Sequence, residues 1–142
     1  VESGKIDIAH HQNYARLALR EVTELEEAVK IALSQVNMDE TLIIVTADHS
    51  HSFTMNGYPT RGNDIFGFAN NKLEPKIEPY ETLSYANGPG FLYHKLNDTN
   101  STKTWRPVEE DTNRDKPYYQ FSSSMYLKDE THGGEDVGVY AI

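Results

Sequence analysis

The chain has 142 residues, a formal net charge of −9 and no cysteine. The length suits one domain with its own hydrophobic core. The absence of cysteine excludes disulfides and thiolate metal sites, so a metal site would have to use histidine and carboxylate side chains. The acidic balance argues against a nucleic-acid backbone as the main partner, but bound divalent cations could still attract a phosphate ligand.

The ends of the sequence suggest a piece of a longer protein. The chain begins without methionine, and residues 137–142 have the pattern of a strand that reaches the last residue. No signal peptide or apolar run of membrane-spanning length is present in the sequence.

The clearest predicted element is a helix over residues 18–36, after a loop at residues 1–7. Its apolar residues recur at steps of four and three, which places them on one face: Ala18, Val22, Leu25, Val29, Ala32 and Val36. Residues 37–40 are polar apart from Met38 and lead into the apolar run Leu42–Val45.

The run Leu42–Val45 predicts a strand that is buried on both faces. A helix followed by such a strand favours an α/β fold, with part of a mostly parallel central sheet flanked by helices. Asp48, His49 and His51 follow the strand, at the sheet edge where ligands bind in open α/β folds. The alternative interpretation is an ordinary turn, since Asp-His-Ser is also good turn chemistry.

Beyond His51 the pattern changes to loops and short strands. Residues 52–80 are rich in turn residues, and Thr82–Tyr85 is a strand candidate followed by a firm turn at Ala86–Gly90. Residues 94–124 are polar and aromatic, and we expect an insertion at the edge of the sheet rather than core. Asn97 and Asn100 lie in glycosylation sequons, which also arise by chance.

Several side chains could together form a metal site. Asp7 and His11 are four residues apart and would share one face of a helix. His132 is followed by two glycines, which allow close backbone approach. The full set of candidates is Glu2, Asp7, His11, Asp48, His49 and His132. Each candidate has an ordinary explanation as a surface or loop residue. Jointly they predict a site for more than one metal ion. Imidazoles suit zinc, and carboxylates suit magnesium.

The chain also resembles the alkaline phosphatase family. The matching strings cover most of the chain outside residues 94–125, and they are Val1-Glu-Ser-Gly-Lys-Ile-Asp-Ile-Ala-His-His11, Thr46-Ala-Asp-His-Ser-His51, Arg61-Gly-Asn-Asp-Ile-Phe-Gly67, Asn87-Gly-Pro-Gly90 and Glu130-Thr-His-Gly-Gly-Glu-Asp-Val137. The resemblance implies a phosphate monoester hydrolase with two zinc ions and one magnesium ion. It also implies that the nucleophilic serine lies upstream, so that this chain alone is expected to be inactive.

The resemblance assigns each candidate a role. Asp7, His11 and His132 resemble the ligands of the first zinc ion, and Asp48 and His49 those of the second. Glu2 resembles the carboxylate of the magnesium site. His51 resembles an imidazole that supports a zinc-binding aspartate from outside the coordination sphere.

The resemblance also implies an organisation for the chain. Residues 1–53 and 130–142 would form part of the metal-binding α/β core, and residues 54–129 would form a crown-like insertion near the active site and a dimer interface. Animal members are homodimers, glycosylated and held by a lipid anchor on the extracellular face of the plasma membrane.

One departure from the family pattern concerns the phosphate site. Ile8 follows Asp7, where family members commonly carry histidine or lysine. An isoleucine cannot donate a hydrogen bond, which leaves open a noncatalytic metal-binding relative as an alternative function. A phosphodiesterase or sulfatase of the same superfamily is a further alternative.

Overall fold

A computed structural model describes residues 1–69, 79–97, 99–101, 104–108, 111 and 113–142; residues 70–78 of the turn-rich segment lie outside this part. Three helices are described: α1 Lys5–His11, α2 Ala15–Gln35 and α3 Gly90–His94. The strands are β1 Ile44–Thr46, β2 Ser50–His51, β3 Phe53–Met55, β4 Phe68–Ala69, β5 Tyr80–Glu81, β6 Leu83–Tyr85, β7 His132–Gly133 and β8 Val139–Ala141. The chain is a mixed α/β fold with short strands.

The strands form antiparallel pairs rather than the predicted parallel sheet. Within the described ranges the pairs are β1 with β8, β2 with β7, β3 with β6 and β4 with β5. Parallel contacts are limited there to isolated bridges, such as that between Tyr85 and Ser123. A parallel neighbour for β1 would need a crossover connection of a dozen or more residues, and β8 instead returns along β1 in the opposite direction.

The apolar run before the histidines is exposed, so the prediction of a strand buried on both faces is wrong for this chain. Leu42 is 67 % exposed and Ile44 is 58 % exposed. Among the described strands β1 pairs only with β8, so it is not a central strand of a larger sheet. The apolar face of helix α2 is also only partly buried. Ala15 and Ala18 are buried near its start, whereas Val22 is 45 % exposed.

Helix α1 begins earlier than the sequence predicts and includes both Asp7 and His11. The two side chains therefore share one face, with Nε2 of His11 3.4 Å from Oδ1 of Asp7. A short break separates α1 from α2, and Asn13 in this break has a positive φ of 57°. Asparagine tolerates this left-handed conformation better than most residues.

Asn13 joins the helix break to the turn at residues 87–90. Its side chain is buried, accepts a hydrogen bond from the Gly90 N–H at 2.8 Å and donates one to the Asn87 carbonyl at 3.2 Å. Gly88 has a φ of 130°, and a Cβ there would lie 2.3 Å from Oδ1 of Asn13. The close approach explains why the turn needs glycine at this position.

The hydrophobic core lies between the start of α2 and the segment that follows β6. Its buried members are Ala15, Leu83, Tyr85, Tyr119 and Phe121. Tyr119 and Phe121 belong to the segment that we expected to lie outside the core. Their burial follows from contacts with residues far away in the sequence, which periodicity cannot predict. One such contact is the hydrogen bond from the Phe121 N–H to the Asn13 carbonyl at 2.9 Å.

Candidate metal centre

Four imidazoles converge on one carboxylate oxygen. Oδ1 of Asp7 lies 3.1 Å from Nε2 of His51, 3.4 Å from Nε2 of His11, 3.4 Å from Nε2 of His132 and 3.7 Å from Nε2 of His49. These side chains come from three distant parts of the sequence. The fold therefore brings together five of the residues that the sequence analysis singled out.

Two structural elements position this cluster. Helix α1 supplies Asp7 and His11 from adjacent turns of one face. The antiparallel pair β2–β7 places His51 directly opposite His132. His49 lies just before β2, and its ring stacks on that of His132 with centroids 3.4 Å apart.

Hydrogen bonds fix the outer nitrogen of three of these rings. The Nδ1–H of His11 donates to the Glu130 carbonyl at 2.5 Å, and that of His49 donates to the Ser50 carbonyl at 3.0 Å. The Nδ1–H of His51 donates to the Glu130 carboxylate at 2.6 Å. With the proton held at Nδ1, each ring turns its Nε2 toward Asp7, which is the usual arrangement of metal-binding histidines.

The cluster has the chemistry of a cation site. Oδ1 of Asp7 is buried and has no hydrogen-bond partner among the described residues, although nitrogen atoms surround it. Nε2 of His11 also lies 3.2 Å from Nε2 of His132, and these two atoms can share at most one proton. Electron-rich atoms repel one another at these distances unless a cation lies between them.

The distances within one trio fit a four-coordinate ion. Asp7 Oδ1, His11 Nε2 and His132 Nε2 are separated by 3.2–3.4 Å. Ligands at about 2.0–2.1 Å from a tetrahedral zinc ion would be about 3.3 Å apart. The three side chains thus fit one ion and would leave a fourth position free. This trio is the one that the family resemblance assigned to the first zinc.

A second trio shares Asp7. Its other members are His49 and His51, and the carboxylate of Glu130 forms a further group with His11 and His51. The sequence analysis predicted that His51 supports a zinc-binding aspartate, and its Nε2 is the imidazole nitrogen nearest to Asp7 Oδ1. That role and direct metal binding use the same atom, so the role of His51 stays a prediction.

Two candidates lie apart from these groups. Glu2 is exposed ahead of α1, and neither Glu2 nor Asp48 belongs to any of the potential metal-binding groups found in the described residues. The Asp48 side chain is 89 % exposed and lies 3.4 Å from Nε2 of His49. Asn97 and Asn100, the glycosylation candidates, are also exposed, whereas Asp98 and Thr102 of their sequons lie outside the described residues.

Sequence reasoning missed three residues that support the cluster. Glu130 is one of them, and only its position two residues before His132 hinted at a role. The other two are His10 and Tyr85. The ring of His10 stacks on that of His51 with centroids 4.7 Å apart, and the Tyr85 hydroxyl lies 2.9 Å from Nδ1 of His10.

His10 and Tyr85 are both neutral groups. Burial, followed by the nearby His51, lowers the pKa of His10 to about 4. Burial raises the pKa of Tyr85, so its hydroxyl keeps its proton and can donate to His10. These two side chains therefore form an uncharged wall behind the His51 ring.

The alkaline phosphatase family model matches residues 1–142. The chain belongs to the alkaline phosphatase family. It is 49 % identical to alkaline phosphatase 4 of Drosophila melanogaster and 42 % identical to the membrane-bound alkaline phosphatase of Bombyx mori. It is also 40 % identical to the human tissue-nonspecific isozyme of alkaline phosphatase.

These matches cover 99 % of this chain but only 24–25 % of each relative. The chain therefore spans about a quarter of the length of the alkaline phosphatases that it matches. Among the described residues, no helix is both long enough and apolar enough to cross a membrane.

Proposed function

We propose that the full-length protein hydrolyses phosphate monoesters and that this chain supplies zinc and magnesium ligands, with the remaining metal ligands upstream. The observation that carries the proposal is the trio Asp7, His11 and His132, whose ligand atoms are 3.2–3.4 Å apart. One of these atoms, Oδ1 of Asp7, is buried without a hydrogen bond to any described residue. Family membership supplies the reaction, because alkaline phosphatases act on phosphate monoesters.

The proposed metals are two zinc ions and one magnesium ion. Asp7, His11 and His132 would hold the first zinc, Asp48 and His49 the second, and Glu2 the magnesium. When bound, such ions activate water and neutralise charge on the phosphoryl oxygens. The hydrogen bonds at Nδ1 keep the imidazoles turned inward before any ion arrives.

The remaining parts of the active site would come from outside these 142 residues. We propose that the nucleophilic serine and the phosphate-binding arginine lie there. Further strands would also lie there, and β1 would join them in a mostly parallel sheet. The exposed apolar side chains of β1 and α2 support this packing, since Leu42, Ile44 and Val22 need cover.

The test is a phosphatase assay on two proteins. The full-length protein, loaded with zinc and magnesium, should hydrolyse p-nitrophenyl phosphate, and treatment with a chelator should abolish turnover. The 142-residue chain, assayed in parallel, should give none. Absence of turnover in the metal-loaded full-length protein would contradict the proposal, and turnover that copurifies with the short chain would show that the nucleophile lies within it.

The setting of the protein is a further part of the proposal. We propose a glycosylated homodimer on the extracellular face of the plasma membrane, held by a lipid anchor. Support comes from the exposure of Asn97 and Asn100 and from the name of the Bombyx mori relative, which is membrane-bound. Release from cells by phosphatidylinositol-specific phospholipase C tests the anchor, and light scattering of the released protein tests the dimer.

A noncatalytic metal-binding relative is the second candidate, and Ile8 favours it. Its side chain is 64 % exposed beside Asp7 and offers no hydrogen-bond donor to a phosphate. This candidate predicts full metal content without turnover in the full-length protein. Family membership argues against a phosphodiesterase or sulfatase, and the ratio of phosphate monoester to diester and sulfate ester hydrolysis would measure that difference.

A further inference from the structure

Glu130 contacts two of the converging histidines and is itself fully enclosed. The residue is 2 % exposed. Its carboxylate accepts the Nδ1–H of His51 at 2.6 Å and the backbone N–H of Ser52 at 2.5 Å. Its backbone carbonyl accepts the Nδ1–H of His11 at 2.5 Å, and its own N–H donates to the His11 carbonyl at 2.8 Å.

We propose that Glu130 is a positioning residue that turns the rings of His11 and His51 toward Asp7. The two imidazoles come from different elements, α1 and β2, and Glu130 is the common acceptor for their outer nitrogens. With these bonds in place, both Nε2 atoms lie within 3.4 Å of Asp7 Oδ1. The proposal rests on the proposed metal-binding function and adds to it a residue that is not a predicted ligand.

The chemistry of the position requires a carboxylate. Two N–H donors, from His51 and Ser52, point at the side chain, and a carboxylate can accept from both. A glutamine would have one accepting oxygen and one NH2 group, so one donor would face another donor. With the amide oxygen facing the Ser52 N–H, the Nδ1–H of His51 loses its acceptor, whereas the bond from His11 to the backbone carbonyl remains.

The chain offers a matched control in Glu81. This second buried glutamate accepts the backbone N–H of Ser122 at 2.5 Å and is paired with Arg114 at 2.6 Å. Glu81 is therefore as buried as Glu130 and accepts the same kind of backbone hydrogen bond, but its partners lie outside the histidine cluster. A Glu81→Gln variant measures what loss of a buried carboxylate does to the protein in general.

The experiment compares zinc affinity in three forms of the full-length protein: wild type, E130Q and E81Q. Affinity is measured by competition with a chelator, and folding is checked by thermal unfolding. Loss of an outer partner of the metal-binding side chains weakens metal binding by about 10–100-fold. We expect this for E130Q, because a loosened His51 ring no longer supports Asp7. For E81Q we expect zinc affinity within about twofold of wild type, whatever its loss of stability.

Two further measurements separate positioning from folding. With 15N-labelled histidine, the Nδ1–H proton signal of His51 should be present in wild type and lost in E130Q. In a His51→Ala background, the added effect of E130Q on zinc affinity should shrink to about threefold or less, because the carboxylate of Glu130 then has no imidazole to orient.

The outcomes distinguish this proposal from the proposed function. If wild type binds no zinc, the proposed metal site is wrong. If wild type binds zinc and E130Q binds it equally well, or if E81Q is weakened as much as E130Q, the positioning role of Glu130 is wrong. If E130Q does not fold, Glu130→Asp replaces it, because aspartate keeps the charge on a shorter side chain. Its zinc affinity should lie between those of wild type and His51→Ala. A zinc affinity equal to that of wild type would count against the positioning role.

Discussion

The Nε2 atoms of His11 and His132 lie 3.2 Å apart, although 121 positions separate the residues in the sequence. Each nitrogen also lies 3.4 Å from Oδ1 of Asp7. The closeness arises because α1 and the β2–β7 pair meet at the residues that carry these side chains. This small triangle of ligand atoms underlies the proposed phosphatase function.

Replacing the predicted ligands should have unequal effects. In the full-length protein, His132→Ala removes one corner of the triangle and should remove about one zinc ion per chain, with turnover reduced by at least tenfold. Glu2→Ala leaves the predicted zinc ligands intact, so turnover should fall less and should recover with added magnesium. Metal content by mass spectrometry checks both variants, and full zinc occupancy in His132→Ala would show that the assignment is wrong.

The side chains that converge on Asp7 were the part of the candidate site that sequence patterns indicated best. Asp7 and His11 have helical spacing, His49 and His51 follow an apolar run, and His132 is followed by two glycines. Glu130 was missed because its role depends on complete burial, which a polar segment such as residues 128–136 does not indicate. The strand at Leu42–Val45 was predicted from its composition, but its burial depends on neighbours that composition does not specify.

The hydrophobic core also shows that burial by distant residues is harder to predict than local structure. The strand candidate Thr82–Tyr85 and the turn at Ala86–Gly90 were predicted from local signals. The structure has a strand at Leu83–Tyr85 and a glycine with positive φ, Gly88, in the turn. Tyr119 and Phe121 are core residues that lie in an irregular segment. Because that segment lacks helical or strand periodicity, its pattern does not indicate that these rings pack against α2.

A second prediction concerns Ile8. Its exposed side chain adjoins Asp7 in α1, and a histidine there could donate to a phosphate bound beside the metals. A charge-assisted hydrogen bond of this kind contributes about 1.5–3 kcal/mol. Because residue 8 is exposed, solvent weakens this contact to the low end of that range or below. In the active full-length protein, Ile8→His should therefore tighten inhibition by inorganic phosphate by about tenfold or somewhat less.

The phosphate inhibition constants of both proteins are compared at one pH and one ionic strength. Ile8→Gln is the control, since it adds a donor that carries no charge and should tighten inhibition less than histidine does. Unchanged constants in both variants, with zinc content intact, would mean that residue 8 points away from the phosphate.

The part of the fold around Glu81 and Arg114 should depend on a buried ion pair for stability. Arg114 donates to Glu81 at 2.6 Å and to the Phe66 carbonyl at 2.7 Å, and Tyr119 also donates to Glu81 at 2.7 Å. Arg114→Gln leaves the Glu81 carboxylate enclosed without its cation, which costs about 3–5 kcal/mol in comparable cases. Urea unfolding should show the loss, whereas Lys30→Gln, which breaks an exposed pair with Glu26 and Glu27, should leave the midpoint nearly unchanged.

Asp111 should make part of the stability pH-dependent. Burial acts to raise the pKa of its carboxyl, but hydrogen bonds from the Asn113 N–H and the Tyr93 hydroxyl, together with Arg106, outweigh burial and lower the pKa. A carboxylate with a lowered pKa stabilises the fold above its unfolded pKa of about 4, and this contribution is lost as the pH falls through the folded pKa.

The check on Asp111 is urea unfolding of wild type and Asp111→Asn in chelator, at pH 6 and at about pH 3. The difference in unfolding free energy between the two proteins should be larger at pH 6. A difference that is equal at both pH values, or larger in acid, would show that the carboxyl is not stabilised in its charged form.

The most direct test of the metal centre is anomalous X-ray scattering at the zinc edge from crystals of the full-length protein. The account predicts a zinc peak at about 2.0–2.1 Å from Nε2 of His11, Nε2 of His132 and an oxygen of Asp7. A zinc-loaded protein whose ions all lie away from these three atoms would contradict it.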